Sequence, residues 1–351
     1  MTLFQKIKKL FLNIWRRVTA WFKCGCIAKN IAFFLIILLI AEHAWASPGK
    51  WQREWPHTDF SKSSIEFSEI ISGGPPKDGI PAIDVPKFKP VAAITNIGEK
   101  EPVTSLTIGQ DARAYPLRIM MWHEIVNDTV GSRPVTVTYC PLCNSAIVFD
   151  RRVNGKILDF GVSGKLRHSD MVMYDRQTES WWQQITGTGI VGEMTGTKLT
   201  RLPARVIPFG SFRSSHPNGQ VLVANNPNAR RYGQNPYVRY DSSANPFLYR
   251  GRYDGPGDPL SYVVAVKDQA WLLSDLRDQK TIQHGNIILS WQSGMNSALD
   301  NKDIQKGRDI GFVRVQEINA DGSRKNIPYD TSFAFAFKAF YPDGTIHRPS
   351  D

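Results

Sequence analysis

From Asp78 onward the apolar residues fall into short runs rich in β-branched side chains and bounded by turn signals, the pattern of strands rather than helices. Residues 104–108 and 112–117 flank Gly109-Gln110-Asp111 as a hairpin, and residues 135–139 and 146–150 are two strands bracketing Cys140-Pro141-Leu142-Cys143-Asn144-Ser145. Asn154-Gly155, between Val153 and Ile157, is the strongest short hairpin signal in the chain, because both residues tolerate the positive φ of a type I′ turn. Further strands are predicted at 158–162, 171–174, 262–266, 287–291 and 311–315, with short helices at 119–126 and 209–215. Residues 225–260 are crowded with Asn, Pro, Gly, Tyr and Arg and read as a loop covering the barrel or the site. The expected fold class is mainly β, a β-rich α+β chain with a few short helices.

An internal echo suggests two related β units packed as one globule. Thr107-Ile108-Gly109-Gln110-Asp111-Ala112 resembles Ala265-Val266-Lys267-Asp268-Gln269-Ala270, and Asn144-Ser145-Ala146 resembles Asn296-Ser297-Ala298. In that register Cys140 falls opposite Gln292 and Cys143 opposite Met295, so only the first unit carries thiols. The expected organisation is a leader over 1–46, an extended arm over 47–77, a first β unit over 78–224, and a loop-rich segment with a second β unit over 225–351.

Composition adds the compartment. The 351 residues carry a formal charge of +11, but residues 1–46 hold seven basic side chains against Glu42 alone, and without them the charge is +5. That segment runs from a basic stretch through an apolar run at 31–41 to Ala44-Trp45-Ala46, the order of an export signal. The apolar run is shorter than the roughly 20 residues that span a bilayer, so cleavage is expected and an uncleaved anchor is the alternative. Cys24 and Cys26 leave with such a leader. A periplasmic or otherwise exported protein follows, with membrane contact only through the leader and with no nucleic acid as a partner.

The run Tyr139-Cys140-Pro141-Leu142-Cys143 resembles the signature of a prokaryotic domain-of-unknown-function family. Supporting stretches are Asp78-Gly79-Ile80-Pro81-Ala82, Arg113-Ala114-Tyr115-Pro116-Leu117, Trp122-His123-Glu124, Phe160-Gly161-Val162-Ser163-Gly164 and Met173-Tyr174-Asp175-Arg176. The likeness is dense over 78–202 and thinner to 342. In such relatives the place of His168 is more often Asn. The resemblance implies no activity, so function has to be read from the residues.

A Cys-x-x-Cys pair serves metal binding, thiol redox chemistry or a local disulfide. Cys140 and Cys143 lie between two strands, with no helix predicted after Cys143, which weakens the likeness to thiol-exchange enzymes. For a metal site His123 is the expected third ligand, Glu124 or Asp128 its orienting carboxylate, and His168 and Met295 weaker fourth ligands, with Asn144 beside the pair. Two thiolates with an imidazole suit copper or zinc, and a redox or metal-delivery partner. Two alternatives stay open: a thiol-disulfide oxidoreductase with Cys140 attacking and Cys143 resolving, and a ligand-binding or scaffold protein with an inert Cys140–Cys143 bridge. Asp170, Asp175, Arg176 and Glu179 line a polar cleft or form strand-end ion pairs, with Trp181 and Trp182 as pocket walls or core. Phosphate loops, zinc-protease His pairs and the nucleophile elbow are absent from the sequence.

Overall fold

Around Gly109-Gln110 the backbone reverses as the hairpin pattern predicts. Strands Pro102–Ile108 and Asp111–Pro116 pair antiparallel with Ile108 opposite Asp111, and Gly109 takes φ 61° in the turn. This is seen in a computed structural model of the protein, which describes residues 48–348. The expected leader over 1–46, with Cys24 and Cys26, lies outside the described residues. The chain divides into a unit ending at Trp51, of which only the helical turn Pro48–Trp51 is described, and a unit beginning at Gln52 that holds all the elements below.

The protein is mostly β, with its sheets arranged as blades in a propeller-like fashion and with short helices between them. In the first half, the hairpin Pro102–Ile108/Asp111–Pro116 gains Arg205–Pro208 on one side, antiparallel, and Gln220–Val223 on the other, parallel. In the second half, Tyr262–Val266/Gln269–Leu272 gains Asp330–Phe333, antiparallel, and Thr345–His347, parallel. Helices Phe209–Ser215 and Ala334–Phe340 join the two added strands of each sheet. The echoed hairpins share their register, since Val266 faces Gln269 around Lys267 at φ 57°.

The correspondence continues into the next sheets. Helix Leu117–His123 ends at Glu124, φ 57°, and helix Leu273–Gln279 ends at Lys280, φ 65°. Each is followed by an antiparallel meander, Ile125–Val130, Arg133–Cys140 and Ser145–Asp150 in one case, Thr281–His284, Ile287–Gln292 and Phe312–Ile318 in the other. The Tyr139 amide donates to the Glu124 carbonyl at 2.8 Å, and the Trp291 amide donates to the Lys280 carbonyl at the same distance. The halves exchange contacts, with Asp330–Phe333 against Ser145–Asp150 and Arg205–Pro208 against Phe312–Ile318.

A further sheet belongs to the first half. Strands Phe160–Arg167, Asp170–Asp175, Trp181–Gln183 and Thr188–Val191 form a meander, and Ile70–Ser72 adds to its edge. The expected arm thus contributes a strand, and Trp55 is fully buried edge-on against Tyr174 and Trp181. Trp181 and Trp182 are core rather than pocket walls, both fully buried, with Trp182 Nε1 donating to Asp175 at 2.8 Å. Among the described residues no helix is long and apolar enough to cross a membrane.

Candidate functional site

Cys140 is the last residue of its strand and pairs with Ser145, so Pro141, Leu142, Cys143 and Asn144 form the whole turn. Proline has no amide to continue the ladder, and Asn144 closes the turn at φ 49°, a conformation Asn accepts more readily than most residues. The Asn144 amide donates to the Pro141 carbonyl at 3.2 Å, and its side chain receives the Tyr139 hydroxyl at 3.3 Å. Both sulfurs are free thiols, Cys140 only 2% exposed and Cys143 fully buried.

A second turn delivers the third group. Arg167 faces Asp170 across a two-residue hairpin in which His168 and Ser169 both have positive φ, 51° and 68°. That reversal places the Ser169 carbonyl 3.8 Å from Cys140 Sγ and drives Asp170 into the interior. Cys140, Cys143 and Asp170 each present a ligand atom within 4.8 Å of the other two, all buried. Asp170 Oδ2 accepts from Gln183 Nε2 at 2.6 Å and from the Ile185 amide at 3.0 Å, while Oδ1 is buried without a hydrogen-bond partner.

The structure brings Asp170, rather than His123, to the two thiols. His123 is absent from the group: its Nδ1 meets the Pro81 carbonyl and its Nε2 the Tyr232 hydroxyl, each at 2.8 Å. The reason is local, because neighbours on a helix point about 100° apart, and the reversal at Glu124 buries the glutamate while His123 stays half exposed. Burial lowers the His123 pKa, offset in part by the Pro81 carbonyl. Asp128 does not orient His123 either, since it binds Arg113 Nη1 at 2.7 Å and the Tyr115 hydroxyl at 2.6 Å. His168 Nε2 lies 3.0 Å from Glu69, and Met295 lines a small cavity with Tyr139 and Asn144. Arg176 pairs with Asp84 and Glu179 with Lys77, so of the expected polar cleft only Asp170 reaches the thiols.

The electrostatics are one-sided. Burial pushes the Glu124 carboxyl up to about 8, helped by the charge of Asp170, and pushes Asp170 up to about 6. Burial raises both thiols, and for Cys143 the neighbouring Cys140 adds to the rise. Lys165, at the edge of the same region, gives its ammonium to Glu54 at 2.7 Å. Four acids thus share a desolvated space in which full ionisation is prohibitively costly unless a cation joins them.

The segment 225–260 covers this centre as expected. The Tyr240 hydroxyl donates to the Leu142 carbonyl at 3.0 Å and receives the Phe247 amide at 3.2 Å, while Ser169 Oγ donates to the Phe247 carbonyl at 2.6 Å. The second half closes the other side, where the Phe333 amide donates to the Cys143 carbonyl at 3.0 Å.

Fold and site together define a propeller-like β protein with a buried dithiol–carboxyl centre on a β turn. The family described as "Protein of unknown function (DUF3179)" matches residues 77–344, and the chain belongs to that family. No curated protein and no solved structure matches the chain.

Proposed function

We propose that the protein holds a soft-to-borderline divalent metal, zinc before copper, through Cys140, Cys143 and Asp170, and works outside the cytoplasm with a metal-delivery or redox partner. The observation that carries this reading is the convergence of two buried thiols and the buried Asp170 carboxyl, each with a ligand atom within 4.8 Å of the other two. Ionising three buried acids so close together is costly unless a cation joins them, and a divalent metal ion would neutralise them together. Zinc bonds of about 2.0–2.3 Å in a tetrahedron put ligand atoms about 3.5–3.8 Å apart, so atoms within 4.8 Å of one another need to close by no more than about 1 Å. A carboxylate beside two thiolates suits zinc, whereas copper(I) favours sulfur and imidazole. The protein-derived ligands number three, which leaves a fourth position open.

Thiol redox chemistry is the second reading, favoured by the two carboxyls beside the dithiol. Forming a disulfide would pass two electrons to the redox partner and release two protons, one of which the Asp170 carboxylate can accept while the other leaves to solvent. It ranks second because attack requires a thiolate and burial disfavours one here.

The test is equilibrium dialysis of the reduced protein against zinc. The wild type is expected to retain one equivalent through extensive washing, and Cys140→Ser and Cys143→Ser each to retain much less. Full zinc content in both serine variants would defeat the proposal.

A further inference from the structure

Beside the centre lies a cavity of about 90 Å³ lined by Cys140 and Glu124, with Ile80, Leu142, Leu166 and Tyr237 among its walls. Cys143 and Asp170 do not line it. The two sulfurs, similar in sequence context, are therefore inequivalent: Cys140 faces an open space and Cys143 sits behind it.

The space is built by the backbone. Strand Phe160–Arg167 shifts register between Val162 and Lys165, where Gly164 takes φ +72°. A Cβ on Gly164 would stand 2.0 Å from the Pro75 carbonyl oxygen, so only glycine lets residues 73–75 cross at this point. The Gly73 amide donates to the Gly164 carbonyl at 2.8 Å and holds that crossing as one wall. Bulges of this kind recur beside functional sites because they re-aim a strand.

We infer that this cavity is a chamber for a small reactant or exogenous ligand, and that Cys140 is the sulfur such a molecule meets, with Glu124 as the carboxyl facing it. The inference rests on the reading of this centre as chemically active and adds the class of molecule that reaches it. About 10–15 Å³ of such space is enough to hold one water, so the chamber has room for several waters or a small guest. The mainly aliphatic walls favour a compact guest with an apolar body and one polar or sulfur-bearing end, the polar end directed at Glu124 and Cys140.

The experiment reads access by mass spectrometry on the full-length, reduced protein, with and without a chelator. One reagent is methyl methanethiosulfonate, which adds only a methylthio group, and the other is a polyethylene-glycol maleimide. In the chelated protein Cys140 is expected to take the methylthio group at least about tenfold faster than Cys143, and the maleimide to reach neither sulfur on that timescale. Ile80→Trp and Leu166→Phe, which fill the chamber from two sides, should each slow Cys140 while leaving Cys143 as it was. Equal rates at the two sulfurs, equal rates for the two reagents, or no effect of either filling variant would overturn the chamber. Failure of the metal reading is distinct, because it appears as missing zinc in dialysis whatever the alkylation pattern.

Discussion

Asp170→Asn is expected to weaken zinc binding by roughly a hundredfold, while His123→Ala leaves it within a factor of about two. Structural zinc sites gain about 10–16 kcal/mol, so losing one of three protein ligands costs on the order of 3 kcal/mol or more, which is at least about two powers of ten. The amide keeps the shape of Asp170 and its bonds to Gln183 and Ile185 but brings no charge to the metal. His123 spends both ring nitrogens on Pro81 and Tyr232, so its loss falls on the stability of that junction, by about 1–3 kcal/mol. Competition with a chromophoric zinc chelator measures both constants. The opposite ranking, with His123→Ala the weaker binder, would restore the imidazole expected from sequence and remove Asp170.

The metal-free protein is expected to lose stability as the pH rises from about 4 to 8. Glu124 titrates from 4.5 when unfolded to about 8 when folded, and Asp170 from 3.8 to about 6. Between each pair of values the folded chain binds more protons than the unfolded chain, so unfolding free energy falls with pH. The stability is fully present below the unfolded values and is lost progressively toward the folded ones. For Glu124 alone the change is on the order of 5 kcal/mol at 1.36 kcal/mol per pKa unit, an upper figure because the two acids titrate together. Glu124→Gln should flatten most of this slope and stabilise the chelated protein at pH 8. With zinc present the sign reverses, because binding displaces protons from the ligands. Urea midpoints at pH 5 and pH 8 for both proteins, with and without chelator, test it. A Glu124→Gln slope equal to that of wild type would place the titration elsewhere.

Much of the scaffold could be read from the residues. The hairpin over 102–116, the Asn154-Gly155 turn and the strands flanking the Cys pair follow from alternation and turn chemistry that act locally. The echo between Thr107-Ala112 and Ala265-Ala270 marks a repeated build, and its register places Gln292 where the first half has Cys140. It does not extend past that point, because 293–311 make a long excursion before Phe312 pairs with Gln292, where Cys140 meets Ser145 after four residues. Helix Ala334–Phe340 escaped reading: Phe335 and Phe337 alternate with Ala as in a strand, and both are buried.

The site was half legible. Cys140 and Cys143 announce themselves by spacing, whereas Asp170 lies 27 residues beyond Cys143 in a different sheet and reads as one more strand-end acid. One signal pointed to it: His168 and Ser169 form a turn tight enough to turn the following carboxyl inward. His123 is near the Cys pair in sequence, but the helix ends at Glu124 with φ 57° and the ring bonds to Pro81 and Tyr232 instead.

The most direct measurement is X-ray absorption at the zinc edge of the full-length, zinc-loaded protein. The account predicts two sulfur neighbours at about 2.3 Å and one or two oxygen neighbours at about 2.0–2.2 Å, with no outer-shell scattering from imidazole. A first shell containing histidine, or a shell without sulfur, would contradict it.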